Sequence, residues 1–219
     1  MAAVDLREAL RYLRASPEDE FTQRLVRETA ETLESSLHPR WLYRLFDVKP
    51  EPEGVALGET GLVLPGRLAT GMLQECRRAA VLVCTLGVAF DRLLRAAEVR
   101  DMARAVVLDA CGSSYVESGC LDAEAEIAAQ SPERYRTDRF SPGYGDLPLE
   151  LQDGLITLTG ADKVLGVYAN ASHLLTPSKT VTAVVGLSDR PQGARIRGCG
   201  CCTLTENCAY RKGGKTCAI

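Results

Sequence analysis

The chain has 219 residues, of which 46% are hydrophobic and 25% are charged, as is usual for a soluble globular protein. Its formal net charge of −3 argues against a nucleic-acid-binding protein, since such proteins usually carry a basic face. The N-terminal residues lack the apolar core of a signal peptide, and the longest apolar run, residues 79–90, is too short to span a bilayer. We therefore expect a cytoplasmic protein without a membrane segment.

Two amphipathic helices are predicted at the beginning of the chain, because leucines recur there at the spacing of one helical face. Ser16 is the predicted N-cap of the second helix, with Pro17 at its first helical position. The helical spacing ends at His38 and Pro39, since a residue before proline disfavours the helical conformation.

Short strands and one short helix are predicted next. Trp41–Val48 is aromatic and branched enough for a strand, and Gly61–Pro65 is a second strand candidate. Pro50–Gly54 is a turn or short linker between them. A short helix is expected at Gly66–Cys76, and Ala79–Cys84 is apolar on both alternating faces, as expected of a strand buried on both sides.

A long helix is predicted in the middle of the chain, at Asp101–Gln130, after a shorter one at Phe90–Ala97. Gly112 and Gly119 lie inside the long helix, and each weakens a helix by up to about 1 kcal/mol relative to alanine. Their presence suggests that other parts of the chain pack closely against the helix at these two positions.

The last predicted elements are a helix at Glu150–Thr159 and strands at Val164–Tyr168 and Val181–Leu187. Helices and strands thus mix without a regular strand–helix–strand alternation, which favours an α+β fold over a doubly wound sheet. We expect residues 1–75 to form a helical and extended region that packs on the main body.

The most informative segment is residues 139–152, which read RFSPGYGDLPLELQ. Pro142 fixes its own backbone angle, while Gly143 and Gly145 permit angles that a side chain resists. We expect a stiff loop that a ligand can approach closely, and we call residues 139–147 the Arg139 loop.

Two side chains of the Arg139 loop are suited to ligand binding. The guanidinium of Arg139 is a planar fork of donors that matches a carboxylate, and Tyr144 offers a flat apolar ring with a hydroxyl at its tip. The alternative is a surface turn with a solvated arginine.

The spacing Arg-x-x-x-Gly-Tyr at residues 139–144 resembles the S-adenosylmethionine-binding loop of the activation domain of cobalamin-dependent methionine synthase. Three further segments agree with this family in the same order, and the resemblance covers most of residues 1–190. They are Cys84–Gly87, Leu108–Glu117 and Thr176–Leu187. The resemblance implies a single α+β domain with a mixed or antiparallel twisted sheet, a long central helix, and a ligand-binding core at residues 76–190.

The resemblance also implies roles for individual residues. Arg139 would bind the carboxylate of S-adenosylmethionine, and the backbone from Gly143 to Gly145 would line the site. Tyr144 would flank the methyl donor and face the corrin ring when a partner docks.

An acidic residue near the start of the domain binds the ligand ammonium in this family, and Asp5 is the nearest match. Glu117, in the long predicted helix, is a second acidic candidate; its alternative is a carboxylate on the helix surface. Thr180 and Thr182 alternate with a valine, so their hydroxyls are expected to point into the same cleft.

The resemblance implies a component of a methyltransferase that supports the reductive remethylation, or reactivation, of cobalamin. The cobalamin would come from a partner, either the cobalamin-binding module of methionine synthase or another corrinoid protein, because the chain lacks an Asp-x-His-x-x-Gly cobalamin signature. An electron donor such as flavodoxin or ferredoxin would be a second partner.

The nine cysteines divide into two groups. Four are scattered in apolar or helical surroundings, where cysteine behaves as a small hydrophobic residue. They are Cys76, Cys84, Cys111 and Cys120. The other five lie in the predicted Cys-rich tail, residues 191–219, which departs from the family pattern.

Four thiolates of the Cys-rich tail are candidate ligands of zinc or of an iron–sulfur cluster, with Cys201 to spare. They are Cys199, Cys202, Cys208 and Cys217. A flexible, redox-active tail is the alternative interpretation. A second functional hypothesis follows from this tail: a metal-binding redox or accessory protein for a corrinoid methyltransferase.

Overall fold

The structure is a computed structural model, and it describes residues 2–16, 18–193, 196 and 212. These residues form two compact units whose segments alternate along the sequence. Unit 1 comprises the described residues up to Arg44 together with Val81–Gln130 and Leu149–Thr182. Unit 2 comprises Leu45–Ala80, Ser131–Pro148 and the described residues from Ala183 onward.

Seven helices occur in the described residues. They are α1 (Leu6–Tyr12), α2 (Glu20–Ser36), α3 (Gly66–Leu73), α4 (Val88–Arg100), α5 (Met102–Gln130), α6 (Leu151–Thr159) and α7 (Ala161–Val164). None of these helices is long and apolar enough to cross a membrane.

Eight strands accompany the helices in the same described ranges. They are β1 (Arg40–Glu51), β2 (Gly54–Leu57), β3 (Val63–Pro65), β4 (Arg78–Thr85), β5 (Tyr135–Arg136), β6 (Tyr168–Ala169), β7 (Leu175–Thr176) and β8 (Thr180–Ser188). Six of them form an antiparallel sheet in the order β3-β2-β1-β4-β8-β5, and β6 pairs with β7 in a small hairpin. The α+β class, the antiparallel sheet and the long central helix are confirmed.

The start of α2 differs from the prediction. Asp19, not Ser16, is the N-cap, because its carboxylate accepts hydrogen bonds from the Thr22 backbone N–H at 3.0 Å and from the Thr22 hydroxyl at 2.6 Å. The Ser16 hydroxyl instead accepts a bond from the Glu18 N–H, at 3.3 Å, before the helix begins. The predicted N-cap is therefore wrong by three residues.

The segment after α6 also differs from the prediction. A strand was expected at Val164–Tyr168, but Val164 ends the short helix α7 and the strand β6 begins only at Tyr168. Gly160, at φ 74°, ends α6 in a left-handed conformation and is also the N-cap of α7, so the second short helix follows at once.

The turn expected at Pro50–Gly54 is confirmed, because Glu51 pairs with Gly54 in the β1–β2 hairpin.

The core of unit 1 forms around α5, which packs against α1, α2 and α4. The close packing expected at the two helix glycines is confirmed. A Cβ at Gly112 would lie 2.3 Å from ring atoms of Phe90, and a Cβ at Gly119 would lie 2.4 Å from the Cβ of Pro39. Glycine is therefore required at both places because a ring or another side chain fills the space.

The division predicted at residues 75 and 190 remains a prediction.

Candidate functional site

The Arg139 loop belongs to unit 2 and begins at the edge of strand β8. The Phe140 N–H donates to the Val184 carbonyl at 3.1 Å, and the Val184 N–H donates back to the Phe140 carbonyl at 2.8 Å. Phe140 is fully buried. The position of the backbone next to Arg139 is therefore set by the sheet rather than by a free loop.

Three backbone hydrogen bonds define the rest of the loop. The Tyr144 N–H donates to Ser141 at 3.0 Å, the Leu147 N–H donates to Tyr144 at 2.9 Å, and the Gly143 N–H donates to Leu147 at 2.8 Å. Gly143 at φ 90° and Gly145 at φ 54° have positive backbone angles that favour glycine. The expectation that these two glycines determine the loop path is confirmed.

Arg139 is buried, with 3% of its surface exposed. The alternative of a solvated arginine in a surface turn is therefore wrong. A guanidinium stays charged at every ordinary pH, and a buried charge requires interactions, which Arg139 has in the structure. Since a guanidinium carries five N–H donors, it can serve a structural partner and a ligand together.

Tyr144 contrasts with Arg139, because 51% of its surface is exposed. Its backbone is fixed by two of the bonds of the loop, while its ring faces solvent. A ring held in this way is accessible to a ligand or to a docking protein.

The two acidic candidates belong to unit 1. Asp5 is the N-cap of α1, and its carboxylate accepts from the N–H groups of Arg7 at 2.9 Å and Glu8 at 3.1 Å. The Ser114 hydroxyl on α5 donates to the Asp5 carbonyl at 2.9 Å, and Glu117 follows Ser114 by three residues on the same helix. The structure thus brings Asp5 near the helical turn that carries Glu117, although the Asp5 carboxylate already caps a helix.

Glu117 lines a pocket of about 210 Å³ within unit 1. The other lining residues come from α1, α5, the segment before β8 and the first two residues of β8. They are Tyr12, Ser113, Val116, Ser178, Lys179, Thr180 and Val181. Partial burial raises the pKa of Tyr12, and the Glu8 and Glu117 carboxylates raise it further, so its hydroxyl stays protonated.

The segment before β8 is held by side chains that the sequence analysis missed. The Ser178 hydroxyl donates to Asp91 at 2.6 Å. The Lys179 ammonium lies 2.7 Å from the Asp109 carboxylate and 2.8 Å from the Ser113 hydroxyl. These partners are 66 to 87 residues apart in sequence, so no local pattern predicts them.

The two threonines expected in a cleft have different surroundings. The Thr180 hydroxyl lies 2.7 Å from the Thr85 hydroxyl and lines the pocket of Glu117. Thr182 is buried, and its hydroxyl donates to the Gln152 side chain. The expectation for Thr182 is wrong, since its hydroxyl is used inside unit 1.

The four predicted metal ligands of the Cys-rich tail lie outside the described residues. Within the described ranges, no group of three or more His, Cys, Asp or Glu side chains could hold a metal ion. Cys76 and Cys111 are buried free thiols, and burial raises the pKa of each to about 12. They are packing residues, as predicted.

Among the solved structures that are similar to this chain is the crystal structure of the MetH reactivation domain bound to AdoHcy. The TM-score is 0.65 and the sequence identity is 16%, over 98% of this chain and 84% of that one. No protein-family model matches the chain, and a search of curated proteins found no similar sequence. The likeness shows that this chain has the fold of that domain.

Proposed function

We propose that this protein binds S-adenosylmethionine through the Arg139 loop and supports the reductive remethylation of cobalamin that a partner protein holds. The observation that carries the proposal is the fold shared with a reactivation domain whose structure contains AdoHcy. The Arg139 loop adds support, because its sequence spacing resembles the ligand-binding loop of the same family and its two glycines have the positive backbone angles expected for that loop.

The residues of the loop fit the ligand chemically. S-adenosylmethionine carries a carboxylate, for which Arg139 supplies a permanently charged fork of donors in a buried setting. Burial strengthens such a bond, because water competes less for the donors. Gly143 and Gly145 have no side chain, so a ligand can approach the backbone between them.

The exposed ring of Tyr144 gives the loop a second role. An aromatic face attracts a cation such as the sulfonium of the ligand, and an exposed ring can also contact a docked partner. Tyr144 is thus proposed to flank the methyl group on one side and the corrin ring on the other. The residue that binds the ligand ammonium stays a prediction, with Glu117 and Asp5 as candidates.

In the proposed reaction, one electron reduces the oxidised cobalt, the methyl group moves from the ligand sulfur to the cobalt, and S-adenosylhomocysteine remains. This chain supplies the binding and orientation of the methyl donor. The cobalamin-binding module of methionine synthase, or another corrinoid protein, supplies the acceptor. A donor such as flavodoxin or ferredoxin supplies the electron, so the chain acts as one component of a methyltransferase.

Calorimetric titration with S-adenosylmethionine and with S-adenosylhomocysteine tests the proposal. We expect both to bind, because they share the carboxylate, the ammonium and the adenosine. If folded protein binds neither compound at millimolar concentration, the proposal is overturned. A second assay would add an oxidised corrinoid partner and a reductant, and would follow methylation by the absorption spectrum of the cobalamin.

The alternative function, a metal-dependent redox or accessory protein, depends on residues outside the described part of the chain and stays a prediction. Metal analysis after anaerobic purification tests it. Stoichiometric iron or zinc that disappears when Cys199 and Cys202 are replaced by serine would support it, and metal-free protein that binds S-adenosylmethionine would contradict it.

A further inference from the structure

Asp146, in the Arg139 loop, binds the N-terminal end of helix α3. Its two carboxylate oxygens accept from the backbone N–H groups of Arg67 at 2.7 Å and Leu68 at 2.9 Å. Pro65, the N-cap residue of α3 itself, has no side-chain hydrogen bond to the helix. Asp146 therefore does the work of a helix cap from a position 78 residues further along the chain.

Two glycines shape this contact. Gly66, at φ 92°, lies directly under the carboxylate, because a Cβ there would be 2.8 Å from the Asp146 Cγ and 3.0 Å from each oxygen. Gly145, at φ 54°, brings the loop against Leu68, whose side chain would lie 3.4 Å from a Cβ at that position. The loop thus rests on the first turn of α3 through a polar contact and an apolar one.

Leu147 links the Asp146 contact to Tyr144. Leu147 follows Asp146, and its N–H donates to the Tyr144 carbonyl at 2.9 Å, while its own carbonyl accepts from Gly143 at 2.8 Å. Leu147 is buried, whereas residues 143–146 are exposed. Without the Asp146 bonds, the exposed part of the loop would keep its internal turn, the Leu147 anchor and the apolar contact with Leu68, but no hydrogen bond to α3.

We propose that Asp146 is the positioning residue of the Arg139 loop: by capping α3 it holds Gly143, Tyr144 and Gly145 in the shape that receives the ligand. This inference rests on the proposed function for the identity of the ligand. The ordering of the loop, however, is a property of the free protein and can be measured without any ligand.

Hydrogen exchange of the free protein tests the ordering. In Asp146→Ala, we expect the amides of Tyr144 and Leu147 to exchange about fivefold faster, the change typical of a lost helix cap. Asp146→Asn keeps one acceptor oxygen and should fall between the alanine variant and the wild type. Because Asp146 is exposed, neither change should prevent folding, and thermal unfolding checks this.

Arg67→Ala is the matched control. The Arg67 side chain is fully exposed and its Nε lies 3.9 Å from Asp146, whereas the contact that matters uses the Arg67 backbone. This variant should therefore exchange like the wild type. Equal exchange in Asp146→Ala and wild type would overturn the inference, as would acceleration by Arg67→Ala as large as that by Asp146→Ala.

Titration with S-adenosylmethionine tests whether the bonds of Asp146 to α3 affect ligand binding. We expect Asp146→Ala to bind about fivefold more weakly, with partial rescue in Asp146→Asn. Unchanged affinity in Asp146→Ala, while the wild type binds normally, would overturn the inference and leave the proposed function intact. If the wild type itself does not bind, the proposed function fails, and the exchange experiment still decides whether Asp146 orders the loop.

Discussion

Glu133 accepts two hydrogen bonds from the guanidinium of Arg78, one from Nε at 2.7 Å and one from Nη2 at 2.6 Å. The Glu133 side chain is only 6% exposed and that of Arg78 is 27% exposed. Arg78 begins strand β4, and Glu133 precedes β5 and the Arg139 loop. The pair therefore fixes the beginning of the segment that carries the candidate ligand-binding residues.

Glu133→Gln should destabilise the protein in a pH-dependent way. The bonds from Arg78 lower the pKa of Glu133 in the folded state, so the carboxylate stabilises the fold above its unfolded pKa. This contribution is lost as the pH falls through the lower, folded value. We expect the variant to lose about 1–2 kcal/mol of unfolding free energy at neutral pH and little once the wild-type carboxyl is protonated in acid.

Urea denaturation at neutral and acidic pH measures this difference. Glu75→Gln is the control, because the Glu75–Arg190 pair is exposed, with 3.9 Å between the charged atoms. It should change stability by less than about 0.5 kcal/mol. An equal loss for Glu133→Gln at both pH values would contradict the role given to the charge.

Arg139→Lys should weaken ligand binding although it keeps the positive charge. A lysine lacks the planar fork, so a bidentate bond to the ligand carboxylate is lost.

Charge-assisted bonds contribute about 1.5–3 kcal/mol, so Arg139→Ala should reduce the affinity for S-adenosylmethionine by about tenfold to a hundredfold. Circular dichroism is needed beside calorimetry, because Arg139 is buried. Wild-type affinity in a folded Arg139→Ala protein would exclude the role.

Tyr144 should show a different pattern of effects. Tyr144→Phe keeps the ring and should bind S-adenosylmethionine like the wild type. Tyr144→Ala removes the exposed ring and should reduce cobalamin remethylation more than it reduces ligand affinity. The measurement is the ratio of the loss in remethylation rate to the loss in S-adenosylmethionine affinity. Equal losses in the two quantities would assign Tyr144 to ligand binding alone.

Gly112→Ala tests the packing of α5. The new methyl group would lie 2.3 Å from ring atoms of the fully buried Phe90, so we expect a loss of about 1–3 kcal/mol of unfolding free energy. Gly71→Ala is the matched control inside α3, where nothing lies within 4 Å of the added atom. It should be neutral or stabilising by up to about 1 kcal/mol. Denaturation curves that rank the two variants in the opposite order would contradict the packing described.

Sequence patterns predicted the elements whose signals are local. The long helix α5 and the apolar strand β4 were both found, because apolar residues recur at helical spacing in α5 and form an unbroken run in β4. Strand β2 was missed, since Gly54–Leu57 is short and follows a proline-rich turn. The N-cap of α2 was misplaced because Ser16 and Asp19 are equally good capping residues, and only the folded chain selects between them.

The candidate site likewise contains some features that the local sequence predicts and others that it does not. Gly143 and Gly145 were predicted from their own backbone preferences, and the structure agrees. The burial of Arg139 was not predicted, because arginine is usually exposed and no local sequence pattern signals its burial. The bonds of Asp146 to α3 were missed for the same reason, since they join residues 78 and 79 positions apart.

The ion pair of Lys179 has a consequence for covalent labelling. Its ammonium lies between the Asp109 carboxylate and the Ser113 hydroxyl, and 5.9 Å from the centre of the Phe90 ring. An acylating reagent must reach the amine, and the contacts with Asp109 and Ser113 hold the amine in a partly buried position where the reagent has little access. With its side chain 13% exposed, against 54% for Lys49, Lys179 should be acylated much later in a mass-spectrometric time course. Asp109→Asn should shorten that delay.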